Sequence, residues 1–381
     1  MSVRSTVYLD NAATTPLSEA ARAAMLPYLN DRFGNASSAH APGREARKGI
    51  DEAREQVAAA VGARPDEVVF TSGGTEADNL AIKGTSWHGH EQGRDEIVVT
   101  AIEHHAVLDP ARWLARQGFR VREIGVDRHG VVRLDALEAA VNDRTAVVSV
   151  MWANNEVGTI QPVADCARIA HAAGAVFHTD AVQAVPWLTV DASIADLLTI
   201  AAHKHGGPKG VGALIVKRGV KVQPLMHGGG QEREVRSGTY NVAGIVGFGA
   251  AAQETAAHHE RWSAIVGPLR NRLEERLIAS ITRIRVNGHP TERLPNNLHV
   301  CIEGIDGEPL ILLLDAEGVA ASQGSACSSG AAEPSYVLAA LGIPSELARG
   351  TLRLTLGRNT TEAEVDRAAD VIVDAVVRLR R

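Results

Sequence analysis

The feature that most constrains the fold is an alternation, beginning near residue 66, between short runs of β-branched residues and longer amphipathic stretches. The runs EVVF, EIVVTAI and TAVVSVMW are each followed by a stretch with helical apolar spacing, and AVFHTDA comes next. Strands that alternate with helices in this way become parallel neighbours, and the helices cover both faces of the sheet. The pattern therefore predicts an α/β fold with a mostly parallel sheet.

Two later segments depart from this alternation. Residues 196–216 contain two strand-like runs separated by a glycine-rich turn with Pro208, which is too short for a crossover helix, so a hairpin is predicted. Residues 241–280 have helical periodicity with a break predicted at Gly267 and Pro268, and we interpret them as a connection between domains. The short strands and helices that follow predict a second α/β layer.

Composition excludes several functional classes. Of the 381 residues, 45% are apolar and 22% are charged, which provides enough apolar sequence for a large core. The formal charge of -6 and the lack of a basic block argue against direct binding of nucleic acid. No stretch has the pattern of a signal peptide or a membrane span. The three scattered cysteines are too few for a disulfide framework, so we expect a soluble, cytoplasmic protein.

A candidate phosphate-binding turn lies at residues 72–75, where Ser-Gly-Gly-Thr separates a predicted strand from the start of a helix. Free amides at a helix N-terminus, together with glycines that allow close approach, can hold a phosphate. The alternative interpretation is an ordinary helix cap that uses Thr75. No Gly-Lys-Ser/Thr follows, so the segment is not a nucleotide-binding loop of the Walker type.

Asp180, Gln183 and Lys204 follow predicted strands, at the edge where open α/β sheets bind ligands. A carboxylate at Asp180 suits a ring nitrogen that must stay protonated, and a capping aspartate is the alternative. Lys204 ends an apolar strand between His203 and His205. Such surroundings disfavour the ammonium form and leave the amine available for a Schiff base, whereas a surface lysine in a hairpin is the alternative.

Two further strand ends carry pairs of polar residues. One imidazole of His104 and His105 could stack on an aromatic cofactor while the other faces away. The lack of a matching Cys or His cluster argues against a metal site there. Asn154 and Asn155 can hydrogen-bond a carboxylate or a ring substituent, although such asparagines more often make turns.

Cys327 lies in the small, glycine-bearing segment SQGSACSSG, which suits a thiol that must reach a partner. Cys166 and Cys301 lie in an apolar helix and an apolar strand, and we interpret them as core residues. Arg353 alternates with apolar neighbours in the strand TLRLTL. A bidentate arginine is the usual clamp for a substrate carboxylate, and the alternative is an inward arginine paired with a structural acid.

Together these segments resemble the cysteine desulfurases of class I (NifS/IscS-like), in the aminotransferase class V pyridoxal-phosphate family. The resemblance covers nearly the whole chain, through YLDNAATTP, FGNASSAH, FTSGGTEADN, EHHAV, NNEVGTIQP, HTDAVQA, HKHGGPKGVGAL, RSGTYN, SQGSACSSG and LRLTLGRNTTEAEVD. It implies the aminotransferase-like fold (fold type I), with a large cofactor-binding domain at residues 14–255 that contains a mostly parallel seven-stranded sheet. It also implies a smaller α/β domain at residues 1–13 and 256–381, and pyridoxal 5'-phosphate as the cofactor.

The same resemblance assigns roles around the cofactor ring and the substrate. Lys204 would hold the cofactor as a Schiff base, Asp180 would pair with the pyridine nitrogen and Gln183 would bond the ring hydroxyl. His104 would stack on the ring. Arg353 and Asn155, the latter also a neighbour of the cofactor, would hold the carboxylate of the substrate, L-cysteine. Cys327 would take the sulfur as a persulfide, leave L-alanine as the product and pass the sulfur to an acceptor protein.

The cofactor phosphate would lie on Gly74, Thr75 and His203, with Thr239 arriving from the second subunit of a homodimer. One departure concerns this phosphate. Relatives usually have Ser-Gly-His-Lys before the Schiff base, whereas this chain has alanine at both 201 and 202. A hydroxyl contact to the phosphate is therefore absent, and weaker cofactor retention is expected.

Two other functional classes fit part of the sequence. A selenocysteine lyase, or another fold type I pyridoxal enzyme, would need Lys204 and Asp180 but would not need Cys327. A non-catalytic scaffold that binds sulfur acceptors would not need Lys204. Iron-sulfur cluster assembly, tRNA thiolation and sulfur modification of DNA all use such sulfur donors, so the sequence leaves the pathway open.

Overall fold

The computed structural model describes residues 6–324 and 335–381, and its largest element is a seven-stranded sheet. In chain order the strands are β1 (Val7–Tyr8), β2 (Val68–Thr71), β3 (Glu96–Thr100), β4 (Arg120–Ile124), β5 (Thr145–Ser149), β6 (Val176–Asp180), β7 (Leu197–Ala201), β8 (Gly212–Val216), β9 (Ile284–Asn287), β10 (Asn297–Ile302), β11 (Val319–Ala320) and β12 (Thr351–Thr355). The large sheet has the order β2-β8-β7-β6-β5-β3-β4, and β8 alone runs antiparallel to its neighbours. The predicted parallel sheet and the predicted hairpin, β7 with β8, are confirmed.

Helices occupy most of the remaining chain. They are α1 (Glu19–Leu29), α2 (Ala41–Ala60), α3 (Gly74–Asn79), α4 (Thr85–His90), α5 (His105–Ala115), α6 (Leu134–Ala140), α7 (Val163–Ala172), α8 (Val242–Ser280), α9 (Gly307–Ala316), α10 (Tyr336–Ala340), α11 (Ser345–Ala348) and α12 (Glu362–Leu379). A π-helical turn, Leu80–Gly84, joins α3 to α4, and 3₁₀ turns cover Pro65–Glu67, Ala192–Ile194, Ala202–Lys204 and Gln231–Glu234. No helix in the described ranges is both long enough and apolar enough to span a lipid bilayer.

Helices cover both faces of the large sheet, and strand β3 illustrates how. Ile97 and Val99 pack in one apolar cluster with Val107 and Leu114 of α5, whereas Val98 belongs to the main core on the opposite face. Successive side chains of a strand point to opposite faces, so a run that is apolar at every position is buried on both sides. This is why the central strands have uninterrupted apolar sequences instead of alternating ones.

A smaller second layer follows the long helix α8. Strands β12, β10 and β9 form an antiparallel sheet in that order, and β1 pairs in parallel with β11. The pairing of β1 links the start of the described chain to its C-terminal part, which agrees with the expected grouping of residues 1–13 and 256–381. The boundary itself stays a prediction, and residue 256 lies inside α8.

The predicted break at Gly267 and Pro268 is wrong, because α8 continues through both residues. A proline inside a helix removes one hydrogen bond to the carbonyl four residues earlier. Both Pro268 and Ala264, which carries that carbonyl, are exposed, so water can satisfy the carbonyl. Buried residues on the opposite side, including Val266 and Leu273, hold the helix against the core on each side of the proline.

Parallel strands bring their carboxyl ends to one edge of the large sheet. The polar segments after β2, β3, β5, β6 and β7 therefore lie side by side, and they contain most of the residues singled out in the sequence. After β7 the chain turns through the short helix Ala202–Lys204, which places the lysine at this edge.

Glu103 ties two of these strand ends together from within the core. Its Oε1 accepts hydrogen bonds from the Thr100 hydroxyl at 2.6 Å and the Met151 amide at 2.8 Å, so it joins the ends of β3 and β5. Its Oε2 is buried and has no hydrogen-bond partner among the described residues. Burial raises the pKa of Glu103 to about 8, and the charge of Asp180 adds to this effect.

We predict that Glu103 makes the protein less stable as the pH rises from about 5 to 8. A carboxyl group whose pKa is raised on folding binds its proton more tightly in the folded state, so stability falls between the unfolded and folded pKa values. Relative to wild type, Glu103→Gln should gain a few kcal/mol of unfolding free energy over this range, since one pKa unit corresponds to about 1.4 kcal/mol.

Calorimetry of the purified protein at about pH 5.5 and about pH 8.5 measures this gain. Glu138→Gln, which removes an exposed carboxyl group on α6, is the matched control. A stability difference between Glu103→Gln and wild type that is the same at both pH values would contradict the prediction.

Candidate active site

A cavity of about 290 Å³ opens at the carboxyl edge of the large sheet. It brings together nine of the predicted site residues, which are Gly74, Thr75, His104, Asn155, Asp180, Gln183, His203, Lys204 and Arg353. Thr239 is exposed and lies outside the lining of this cavity in the described chain. Cys327 lies outside the described residues, but Gly324, three positions before it, lines the cavity.

Lys204 lies on the cavity wall opposite an N-terminal turn. Its Nζ donates to the carbonyl oxygens of Ala12 at 2.6 Å and Ala13 at 2.9 Å. The Nε2 of Gln183 donates to the same Ala12 carbonyl at 3.0 Å. The N-terminal turn is therefore part of the site, because it holds both side chains toward the cavity.

Three carboxyl groups line the cavity in the described chain, and the charge of one of them, Asp180, acts on another, Asp78. The Oδ1 of Asp180 accepts from the Val182 amide at 2.9 Å, and burial raises the pKa of Asp180 to about 6 although the Lys204 charge opposes the shift. Burial, followed by the charge of Asp180, raises the pKa of Asp78 well above its usual range. Since the positive charge of Lys204 acts on Asp180, the arrangement favours a single carboxylate, at Asp180.

His104 is the N-cap of helix α5, and its Nδ1 accepts a hydrogen bond from the Ala106 amide at 3.1 Å. Burial lowers its pKa to about 4, and the nearby charge of Lys204 acts in the same direction. The ring is therefore neutral at neutral pH and carries its proton on Nε2. His105 also lines the cavity and meets the Tyr336 ring edge-on, with centroids 4.9 Å apart.

The turn at residues 72–75 has the backbone that a phosphate cradle needs. Gly73 has a φ of 154°, a conformation that glycine alone adopts readily. A Cβ on Gly74 would lie only 3.2 Å from Val182 Cγ2, so the turn packs closely against the loop after β6. The helix begins at Gly74 with no side-chain cap, which rules out the alternative of an ordinary cap by Thr75.

His203 extends this cradle from the side of Lys204. Burial, and then the Lys204 charge, lower the pKa of His203 to about 4, so its imidazole is neutral. Its Nδ1 lies 3.2 Å from the Thr14 hydroxyl. The methyl group of Ala201 also lines the cavity, at the first of the two alanines that precede His203.

The structure separates the roles of the two asparagines. Asn154 makes a turn, because its Oδ1 accepts from the amides of Glu156 and Val157, each at 2.9 Å. Asn155 lines the cavity, and its Oδ1 is buried without a hydrogen-bond partner in the described chain. A buried amide oxygen without a partner is costly, so Asn155 is the one poised to contact a ligand.

Arg353 is almost fully buried and bonded to the protein on several sides. Its Nη2 donates to Asp10 Oδ1 at 2.9 Å, and its Nη1 donates to the carbonyl oxygens of Asn155 at 3.0 Å and Gly324 at 3.2 Å. Its Nε has no partner among the described residues. Arg353 is therefore an inward arginine paired with an acid, as in the alternative interpretation. It also lines the cavity, as a ligand for a substrate carboxylate must.

The two described cysteines are core residues, as predicted. Cys166 and Cys301 are both buried and free of disulfides. Burial raises the pKa of Cys166 to about 12 and also raises the pKa of Cys301, whose Sγ lies 3.1 Å from Asn287 Nδ2. Neither thiol is activated for nucleophilic chemistry.

Sequence reasoning gave no role to three residues that shape this cavity. They are Asp78, Glu156 and Asp10, the last of them through Arg353. Asp78 and Glu156 lie in segments that were considered for neighbouring residues, and Asp10 lies in a motif that served only the family resemblance. The available signal was a charged side chain within a segment that is otherwise apolar or turn-forming. Their importance comes from burial, which local sequence does not reveal.

Comparisons with known proteins agree with this geometry. The family model for Aminotransferase class-V matches residues 7–368. The cysteine desulfurase IscS of Methanosarcina thermophila is 48% identical over 376 residues, which is 98% of this chain and 93% of the relative. Among solved structures, a NifS-like protein has a TM-score of 0.92 and 37% identity, covering 98% of this chain and 100% of its own.

A second solved structure, described as SspA in complex with cysteine, has a TM-score of 0.81 and 33% identity, and the match covers 93% of this chain and 99% of that one. These similarities extend over nearly the entire length of each protein, and they confirm the expected fold type I architecture. The chain therefore belongs to the aminotransferase class-V family and, within it, to the pyridoxal-phosphate-dependent cysteine desulfurases.

Proposed function

We propose that this chain removes the sulfur of L-cysteine, giving L-alanine and a persulfide on Cys327 that is passed to an acceptor protein. One observation carries the proposal. Lys204 and Asp180 line a single cavity whose wall also includes Gly324, three positions before Cys327. An amine, a carboxylate and the approach to a thiol are the three parts that this reaction needs.

The residues of the cavity fit pyridoxal phosphate. The glycine turn suits its phosphate, the carboxylate suits its ring nitrogen, and the neutral imidazole suits its ring face. The unpartnered Oδ1 of Asn155 offers one further polar contact. The residues proposed to hold the cofactor are Gly74, Thr75, His104, Asn155, Asp180, Gln183, His203 and Lys204.

Pyridoxal phosphate supplies an electron sink that stabilises negative charge on the substrate α-carbon. Asp180 would pair with the ring nitrogen and favour its protonated form, and the charge of Lys204 favours the ionised form of Asp180. Lys204 would hold the cofactor covalently, and its Nζ would carry the proton of the substrate α-carbon. His104 stays neutral, so it covers the ring without adding a charge beside Lys204.

Arg353 and Asn155 are proposed to bind the substrate carboxylate. Both line the cavity, and Arg353 is already oriented by Asp10 and two backbone carbonyls, so little entropy is lost when it binds. The similarity to SspA, which was solved in complex with cysteine, supports L-cysteine as the substrate.

In the sulfur transfer, the thiolate of Cys327 attacks the substrate sulfur and an S–S bond forms while the C–S bond breaks. The β-carbon of the substrate keeps the electron pair of the broken C–S bond and is protonated. L-cysteine and one thiol therefore give L-alanine and one persulfide without an external oxidant. Cys166 and Cys301 cannot compete because both are buried. Free cysteines also favour a reducing compartment, and we propose the cytoplasm.

The proposed homodimer would complete each site with Thr239 of the other subunit. Three features of the same chain support a fixed, outward position for this residue. Glu232 and Arg233 have φ values of 45° and 56°, which non-glycine residues keep only when their surroundings enforce them. Arg236 Nε lies 2.8 Å from Glu76 Oε1, in the helix α3 that follows the glycine turn. Thr239 itself is exposed.

We predict that Lys204→Ala abolishes covalent retention of the cofactor and lowers turnover at least about a hundredfold, since both anchor and proton carrier are lost. Borohydride reduction followed by peptide mass spectrometry should find the added cofactor mass at position 204 in wild type only. Asp180→Asn is the matched control, because it keeps the lysine and should keep the modified peptide while turnover falls. Cofactor mass on another lysine of Lys204→Ala, with normal turnover, would refute the assignment.

We predict that Cys327→Ser still binds the cofactor and L-cysteine, yet makes no alanine and carries no persulfide, because a hydroxyl is a poor substitute for a thiolate nucleophile. The visible spectrum follows L-cysteine binding, an amino-acid assay follows alanine, and peptide mass spectrometry locates added sulfur. Cys301→Ser is the matched control, since its hydroxyl can bond Asn287 as the thiol does. Normal alanine production by Cys327→Ser would contradict the proposed sulfur transfer to Cys327.

We predict that Lys204→Ala and Thr239→Ala subunits complement each other. A mixed dimer has one site with both native residues. After subunit exchange, the activity of the mixture at limiting cofactor should therefore exceed the sum of the activities of the two separate variants. Light scattering measures the mass in parallel, and each variant exchanged with itself is the control. A fully active monomer, or a mixture no better than the sum, would exclude the shared site.

A further inference from the structure

Glu156 is a buried carboxyl group that the proposed reaction does not use. It is only 1% exposed and lies in the turn after β5, on the cavity wall. Its amide donates to Asn154 Oδ1 at 2.9 Å, and its carbonyl accepts from Asn297 Nδ2 at 3.0 Å. Because both the amide and the carbonyl of Glu156 are hydrogen-bonded, its Cα has a fixed position relative to the cavity.

The carboxyl group of Glu156 contacts Ser335 on one side. The Ser335 hydroxyl donates to Glu156 Oε2 at 2.5 Å. As the N-cap of α10, Ser335 Oγ also accepts a hydrogen bond from the Val337 amide at 3.1 Å. The hydroxyl therefore connects the start of this helix to the turn after β5. Burial raises the pKa of Glu156, and the Ser335 bond and the charge of Arg353 oppose this shift.

On the other side the carboxyl group packs against the backbone of Gly324. A Cβ at this position would lie 3.3 Å from Glu156 Oε2, so only glycine leaves ordinary space. Gly324 also has a φ of 98°, in the region that favours glycine. Its carbonyl accepts from Arg353 Nη1 at 3.2 Å, and the same nitrogen donates to the carbonyl of Asn155, the residue before Glu156.

Gly324 and Ser335 are the residues immediately before and after the segment 325–334, which contains Cys327. One carboxyl group therefore contacts both ends of this segment, at the wall of the substrate cavity. We propose that Glu156 is a positioning residue that holds the two ends of the Cys327 segment at the cavity, through the Ser335 hydroxyl and the Gly324 backbone. This inference rests on the proposed function only in taking Cys327 as the sulfur acceptor.

The physical consequence concerns where the thiol can go. Cys327 is three residues after Gly324 and eight residues before Ser335, so the positions of these two residues limit how far its thiol can lie from the substrate sulfur. Loss of the Ser335 bond should slow sulfur transfer and leave substrate binding unchanged, because this bond does not involve Arg353 or Asn155, the ligands proposed for the substrate carboxylate.

The test compares Ser335→Ala, which removes the anchoring hydroxyl, with Ser335→Thr, which keeps it. Ser335→Ala should lower kcat for alanine by about tenfold while the L-cysteine Kd, measured from the visible spectrum, changes less than about twofold. The rate of iodoacetamide alkylation at Cys327 should also change, whereas alkylation of Cys166 and Cys301 stays slow and so verifies the fold. Ser335→Thr should restore all three values.

Glu156→Ala tests the other partner of the same bond. It should lower kcat at least as much as Ser335→Ala, because it also removes the contact with Gly324. The double variant should be no worse than Glu156→Ala alone, because Glu156→Ala has already removed the Ser335 bond. Gly324→Ala crowds the carboxyl group without removing it and should also lower kcat. Because the Gly324 carbonyl bonds Arg353, the comparison of L-cysteine Kd with kcat is made on the Ser335 variants.

Three results would overturn the inference. They are a loss of L-cysteine affinity that matches the loss of kcat, a Ser335→Ala variant with unchanged kcat and unchanged Cys327 alkylation, and a Ser335→Thr variant that fails to restore function. Failure of the proposed function is distinguishable, because wild type would then make no alanine from L-cysteine. The alkylation rates would still report whether Ser335 and Glu156 hold the segment.

Discussion

Parallel strands end at the same edge of a sheet, and the site depends on this geometric constraint. Residues that are more than a hundred positions apart, such as Gly74 after β2 and Lys204 after β7, become neighbours because their strands point the same way. The antiparallel β8 fits between β2 and β7 without changing the direction of either strand. Loops can then vary in sequence while the strands fix where each loop begins.

Burial sets the charge state of this edge. His104 and His203 both have pKa values lowered to about 4, so two imidazoles beside Lys204 add no positive charge. Asp78 and Asp180 have raised pKa values for the same physical reason, and the charge of Lys204 favours ionisation of Asp180. A carboxylate and an amine with two neutral imidazoles beside them suit a cofactor whose ring must carry a proton.

Arg353 joins parts of the chain that are far apart in sequence. Its guanidinium bonds Asp10 near the start of the chain, Asn155 after β5 and Gly324 near the C-terminal layer. The proposed carboxylate clamp is thus also a structural joint between the two layers. Replacing it would affect both roles, which is why the proposed test of segment positioning uses Ser335 and leaves Arg353 in place.

The sequence by itself determined the α/β alternation, the hairpin β7 with β8, and the position of Lys204 and Asp180 at strand ends, because these depend on local periodicity. It also separated buried Cys166 and Cys301 from Cys327. It did not show that Asp78, Glu156 and Asp10 shape the cavity, or that α8 passes through Pro268. Those outcomes depend on which groups are buried and on contacts between distant segments, so only the tertiary structure decided them.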